Sequence, residues 1–323
     1  MTDRALKVLL QPFNKHLSRQ NVTEVVVNQP GRMGIEADGQ WEWVDDDKGL
    51  SYRNLRALSM SAAFNASQNI SERQPLCRIA LPAGERMQAC LPPATSPGVI
   101  SLTIRKPSTK RRKIDDDDFE ALFQAGKQEH RNSVDQELAR LYQEGNLREF
   151  FRRAVKKRKT ICVCGPTGGG KTDMIKRFLG EIPPSERIVT IEDTAEFGPV
   201  GPANRVNLFY GDGRAKLAAE DVVEASLRMR PDRIIMQEVR GKEAFAFLRG
   251  LVSGHSGMTT WHAEEGQEWD ALELMVRQHP AGREIPDANL RRYLQTYIDV
   301  MVYVRKDENV YKAGRVWARG ITQ

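Results

Sequence analysis

One stretch limits what this chain can fold into more than any other: Thr160 to Thr172, TICVCGPTGGGKT. The short apolar run Ile161, Cys162, Val163 and Cys164 reads as a buried strand. It breaks into Gly165, then four residues, then Gly170, Lys171 and Thr172, the G-x-x-x-x-G-K-[ST] spacing of a phosphate-binding loop. Glycines at 165, 168, 169 and 170 let the backbone take positive φ and bring its N–H groups against an anion, with Pro166 and Thr167 completing the loop. Beyond it, Met174, Ile175, Phe178 and Leu179 recur at helical spacing, and Gly180 ends the segment. Phosphates bound here would sit at a helix N-terminus, where unpaired N–H groups and the helix dipole favour negative charge. Lys171 would reach the β- and γ-phosphates of a nucleotide, and the Thr172 hydroxyl would hold Mg²⁺. A merely flexible glycine loop would account for neither the strand before nor the helix after.

The chain of 323 residues suggests two domains around such a site. Its 40% hydrophobic and 28% charged content suits a folded protein with a substantial core. No run of about 18 apolar residues is present, so no membrane-spanning helix is expected. The first residues, MTDRALKVLLQPFNKHL, are amphipathic and lack a signal peptide's continuous apolar stretch, which points to the cytoplasm. Cys77, Cys90, Cys162 and Cys164 lack metal-ligand spacing and read as reduced thiols in or near a core. A net charge of +6 permits contact with acidic lipid or nucleic acid without demanding it.

Taken in order, residues 5 to 17 carry Leu6, Leu9, Leu10, Phe13 and Leu17 on one helical face. Val22 to Val27 reads as a strand, and Asp38-Gly39 as the turn of a hairpin within Met33 to Val44. A helix is expected over Ser51 to Ile70, with Ser51 or a neighbour as its cap. Strands are expected at about 76–82, 85–91 and 99–106. In the last two, Met87, Ala89 and Leu91 alternate with Arg86, Gln88 and Cys90, and Ile100, Leu102 and Ile104 with Ser101, Thr103 and Arg105. Each strand then has an apolar and a mostly polar face, and Arg86 and Arg105 can share the exposed one. Read from the residues alone, these are two solvated arginines.

Residues 1–106 thus form an α+β domain with an antiparallel sheet, and 107–153 a linker with helical segments, opening on the charged run from Lys110 to Asp118. The basic run Lys156 to Lys159 is a solvated lead-in to the phosphate-loop strand more simply than a nucleic-acid patch, because no aromatics interleave it. From 154 to 323 strands alternate with helices, implying an α/β domain with a mostly parallel sheet. Strands are expected at 187–191, 206–210, 233–236, 258–261, 300–304 and 310–317, and helices at 215–229, 241–253 and 263–278. Ligands bind beyond the carboxyl ends of parallel strands. Four such ends carry Gly165, Glu192-Asp193, Glu238 and His262. Glu192, Asp193 and Glu238 could orient an attacking water or hold the metal through water, and His262 could bond the γ-phosphate. Taken singly, each reads as readily as a surface acid or a structural histidine. The absence of an N-K-x-D motif favours ATP over GTP.

At this point the chain resembles, almost end to end, the hexameric traffic ATPases of type IV secretion systems, relatives of type II secretion and type IV pilus motors. The residues that carry the resemblance are GERMQACLPP at 84–93, SLTIRKPS at 101–108, the phosphate loop, TIED at 190–193, LRMRPDRIIMQEVRG at 227–241 and GHSGMTTWHA at 254–263. The resemblance implies a C-terminal RecA-like P-loop NTPase domain, subunits in a homo-hexameric ring, and nucleotide held between the two domains. It implies Glu192 and Glu238 as catalytic acids, a role for His262, and Arg86 and Arg105 as phosphate contacts from the N-terminal domain. It also implies ATP and Mg²⁺ as cofactors, other secretion-system components as partners, and peripheral association with the inner membrane. Gln237, Asp173 and Trp261 depart from the family's usual residues, and Asp173 adds negative charge near the phosphates. Two other functions compete: a helicase or DNA translocase, for which direct nucleic-acid binding is left open, and a nucleotide-gated scaffold. The linker is long enough to carry one chain's C-terminal domain to a neighbour's N-terminal domain.

Overall fold

The computed structural model describes residues 2–108, 129–211 and 216–322. The start of the linker, including Lys110 to Asp118, lies outside them. Two sheets organise the rest. The first is antiparallel, in the order β3-β2-β1-β6-β5-β4, built from β1 (Val22–Gln29), β2 (Arg32–Ala37), β3 (Gln40–Asp45), β4 (Leu76–Ala80), β5 (Arg86–Cys90) and β6 (Ser101–Arg105). The expected helix over 5–17 is two helices, α1 (Thr2–Leu9) and α2 (Gln11–Leu17). Pro12 sits in the first turn of α2, and a proline lacks the N–H a continuous helix needs. Asp38 and Gly39 both adopt positive φ, 50° and 76°, and close the β2–β3 hairpin with Ala37 paired to Gln40. Ser51 accepts a hydrogen bond from the Asn54 N–H and caps α3 (Tyr52–Asn65). Leu55, Leu58 and Ala62 of α3 pack with Val25, Ile35, Met87 and Ile104 of the sheet to form the first core.

The mostly polar face of β5 and β6 is not solvated as the alternation suggested. Gln88, Cys90, Ser101 and Thr103 are buried, and only Arg86 and Arg105 at the strand ends are exposed. The second domain covers that face: Cys90 Sγ lies 3.8 Å from Met229 Sδ, and the Phe209 N–H donates to the Ala94 carbonyl. Alternation reports which side chains are polar, not which surface they meet.

The second sheet runs β13-β12-β7-β11-β10-β8-β9, parallel except for β13. Its strands are β7 (Ile161–Cys164), β8 (Ile188–Glu192), β9 (Arg205–Phe209), β10 (Arg233–Met236), β11 (Ser256–Trp261), β12 (Val300–Asp307) and β13 (Val310–Ala318). Every residue of β7, β8 and β10 is buried, as strands covered on both faces require. On one face lie α4 (Glu129–Gln143), α5 (Leu147–Lys156) and α6 (Lys171–Gly180). The helical part of the segment read as linker therefore belongs to this core, through Leu138, Leu141, Phe150 and Ala154. On the other face lie α7 (Ala219–Ser226), α8 (Glu243–Val252), α9 (Glu268–Gln278) and α11 (Asp287–Tyr297), with the short α10 (Pro280–Arg283) between the last two. Pairing puts Cys164 beside Trp261 and Tyr303, and Met236 beside Ile191. The first residues past β7, β11, β10 and β8 thus stand side by side along one edge.

Candidate nucleotide site

The loop between β7 and α6 is shaped by its glycines. Gly165, Gly168 and Gly170 have φ of 148°, 71° and 89°. A Cβ on Gly165 would lie 2.0 Å from the Val304 carbonyl oxygen, so no side chain fits where the loop passes β12. The Gly169 N–H donates to the Pro166 carbonyl, while Pro166, Thr167 and Gly168 are exposed. No side chain caps the N-terminus of α6, whose first turn holds Lys171 and Thr172. Free N–H donors beside a fixed ammonium match the oxygens of a polyphosphate. The Thr172 hydroxyl, in that first turn, suits a Mg²⁺ ion that is held mainly through phosphate oxygens and water.

Lys171 is almost fully buried. Its ammonium donates to the carbonyls of Gly165 at 3.1 Å and Pro166 at 3.0 Å, and burial lowers its pKa, with Glu238 opposing. Its Nζ is also 3.0 Å from His262 Nδ1. An ammonium only donates, so Nδ1 accepts and the neutral ring carries its proton on Nε2. That nitrogen lies 2.8 Å from Glu238 Oε1, close but off the line of a hydrogen bond. The other Glu238 oxygen accepts from Arg240 Nε at 2.7 Å, and Arg240 Nη1 donates to Asp193 Oδ2 at 2.6 Å. Lys171, His262, Glu238, Arg240 and Asp193 so form one polar chain along the carboxyl ends of β7, β11, β10 and β8.

Arg240 was not singled out from the sequence. Its signal was local: in an extended segment, residues two apart share a side, and Arg240 follows Glu238 by two. Gln237, one departure from the family pattern, accepts the Asp193 N–H through its side-chain oxygen at 3.1 Å and ties β10 to the turn after β8. Asp173 turns to Arg177 at 2.9 Å, one helical turn on, which offsets its charge. Trp261 is fully buried and donates its indole N–H to the Glu268 carbonyl.

Glu192 stands apart from this chain. It is fully buried, and four donors reach it: the Thr190 hydroxyl at 2.7 Å, the Asn207 amide at 2.9 Å, and the N–H groups of Glu196 at 2.8 Å and Phe197 at 3.0 Å. A carboxylate so occupied pins the turn after β8. Arg86 and Arg105 do pair across β5 and β6, but neither Lys171 nor its polar partners are among the residues around them. They line a cavity of about 790 Å³ with Glu24, Glu36 and Arg230. Arg230 precedes β10, so this cavity adjoins the amino edge of the parallel sheet, opposite the phosphate loop. Arg105 Nε lies 3.5 Å from the buried Glu24, whose pKa burial raises to about 7 against the pull of Arg105.

The site so built is that of a P-loop nucleotide-binding domain of the RecA-like class. Comparison with known proteins narrows it. The family described as Type II/IV secretion system protein matches residues 127–277. Protein VirB11 of Rhizobium radiobacter is 36% identical over 98% of this chain and 94% of its own length. The PtlH homolog of the Bordetella bronchiseptica type IV secretion system is 38% identical over 92% of this chain and 89% of its own. The crystal structure of the Brucella suis VirB11 ATPase in complex with sulphate superposes with a TM-score of 0.90 at 35% identity, covering 98% of this chain and 95% of that one. The chain belongs to the VirB11 family of type IV secretion ATPases. Among the described residues no helix is long and apolar enough to cross a membrane.

Proposed function

We propose that this chain hydrolyses Mg²⁺-ATP as the ring-forming motor of a type IV secretion system, at the cytoplasmic face of the inner membrane and in contact with other components of that system. The observation that carries the reading is the polar chain from Lys171 through His262 to Glu238 beside the uncapped N-terminus of α6. Phosphoryl transfer requires charge neutralisation and a positioned water rather than covalent chemistry. Lys171 and the loop N–H groups hold the phosphates, and the Thr172 hydroxyl would hold Mg²⁺, which would supply further positive charge there. Glu238 is the acid whose Oε1 no hydrogen bond satisfies, so that a shift of the neighbouring His262 ring would let it orient water, and His262 lies between it and Lys171, placed to register loss of the γ-phosphate. Asp193, held by Arg240, would help to hold the metal, and Glu192 acts as a positioning residue. Family membership supports secretion as the work done, and it is also what favours the peripheral placement and the hexamer.

Arg86 and Arg105 complete the site from another chain. Their place at the amino edge of their own parallel sheet, away from their own phosphate loop, favours a site shared between subunits. From there an arginine can stabilise charge developing on the γ-phosphate. Mixing inactive Arg105→Ala subunits with inactive Lys171→Ala subunits tests this, with ATP turnover as the readout. Mixed rings recover activity if sites are shared, because some combine an intact Arg105 with an intact Lys171. No recovery at any ratio rejects the shared site, and full activity of Arg105→Ala alone rejects a role for that residue.

A further inference from the structure

We propose that Tyr311 is the platform on which the base of the bound nucleotide stacks; the inference rests on the nucleotide reading of the phosphate loop. Tyr311 lies on β13 at the edge of the parallel sheet, opposite Lys306 of β12. Its ring leans on Gly170, where a Cβ would come within 2.9 Å of Cδ1 and 3.2 Å of Cε1. Gly170 is the residue from which α6 and its free N–H groups begin. The phosphate cradle and the aromatic ring therefore share one backbone position.

Packing alone does not account for the ring. Tyr311 remains 60% exposed, so most of its surface stays open to solvent despite that contact. Tyr311 belongs to neither apolar core of this domain, and with Leu274, Val252 and its neighbour Val310 it is among the apolar side chains left at the surface. Lys306 Nζ stands 5.4 Å from the ring centroid, a cation over one side of the π system. An aromatic face beside a polyphosphate cradle suits a nucleotide, whose base offers a π face of its own whatever its hydrogen-bonding edge. Stacking of this kind also fits a sequence with no motif that reads a base by hydrogen bonds.

The test is calorimetric titration of the full-length protein with two probes, ADP and inorganic pyrophosphate. Tyr311→Ala and Tyr311→Leu are expected to weaken ADP binding roughly 5- to 100-fold, the range of single-base stacking. Tyr311→Phe should bind ADP like the parent, and pyrophosphate should bind alike in all four proteins. Leucine keeps an apolar side chain on Gly170 without an aromatic face. Parent-like ADP binding by Tyr311→Leu or Tyr311→Ala overturns the platform. Equal losses for ADP and pyrophosphate also overturn it, because the ring would then only brace the loop. If the parent binds neither probe, the phosphate-loop reading itself fails, and this inference fails with it.

Discussion

The parallel sheet carries charged clusters at both of its edges, and the two are built on opposite plans. At the amino edge Arg187 and Arg233 are fully buried. Arg187 donates to Met229 O at 2.8 Å and to the side-chain oxygens of Asn28 and Asn204, both at 2.6 Å, and packs near Trp41. Burial lowers its pKa to about 10. Arg233 bonds Glu186 at 2.6 Å and the Val155 carbonyl. At the carboxyl edge the side chains of Arg240 and His262 remain 58% and 46% exposed, and the charges there hold mainly one another. A buried guanidinium with fixed acceptors has nowhere to go, and breaking its contacts strands charge and dipoles in a dry site. A half-solvated chain of charges can trade one partner for a phosphate at small cost. Through Arg187 and Asn28 the amino edge ties the two sheets together, while the carboxyl edge leaves charged side chains open to solvent.

That division can be broken, beginning with the largest effect. Lys171→Ala should abolish ATP turnover, a fall of at least about 10²-fold, while the circular dichroism spectrum and unfolding midpoint stay near the parent's. Turnover at the parent rate would show that the carboxyl edge is not the site. Glu238→Gln should keep nucleotide affinity and lower the hydrolysis rate by about 10²-fold; Glu192→Gln should instead lower stability first, since it weakens the donors' grip on the turn after β8. Equal rate losses with unchanged stability would place both acids in the chemistry.

Arg187→Met should destabilise the protein by about 3 kcal/mol in urea unfolding, because Asn28, Asn204 and Met229 each lose a buried donor. A variant with parent stability would mean that the amino edge is no lock.

The smallest effect depends on pH. The folded pKa of Glu24 is raised from an ordinary value near 4.5 to about 7. The native state therefore holds a proton that the unfolded state has lost, so stability falls as pH rises from about 4.5 to about 7 and is level above that. Glu24→Gln removes the penalty. Its melting temperature should exceed the parent's by a few degrees at pH 8, and the gain should vanish toward pH 5. An equal gain at both values would assign the effect to packing rather than titration.

How much of this could be read in advance follows the same line. The phosphate loop, the mostly parallel sheet and the acids and histidine at the strand ends were legible because each shows in local sequence pattern. The hairpin at Asp38-Gly39 was legible for the same reason. What local pattern could not supply was satisfaction by distant partners. Glu192 and Glu238 look alike as acids ending apolar strands, yet one is filled by four donors, while the other has one oxygen that only the His262 ring approaches, off the line of a hydrogen bond. The face bearing Gln88 and Thr103 reads as solvated until a second domain is laid on it. Helix α11 was missed although Leu290, Tyr293, Leu294 and Tyr297 have helical spacing, because prolines at 280 and 286 mask its start.

The contact of Gly165 and Gly169 with the Val304 carbonyl reaches into the order in which the chain is made. A ribosome delivers the phosphate loop long before β12, and β7 waits for its neighbour on that side until Val300 to Tyr303 have emerged to pair with it. The wall against which the loop is moulded, and Tyr311 beyond it, come later still. A nascent chain therefore carries the phosphate-loop sequence through much of its later synthesis without the strand that shapes it. Competence to grip a nucleotide arrives late, when most of this sequence has been translated, so incomplete chains are poorly equipped to consume it.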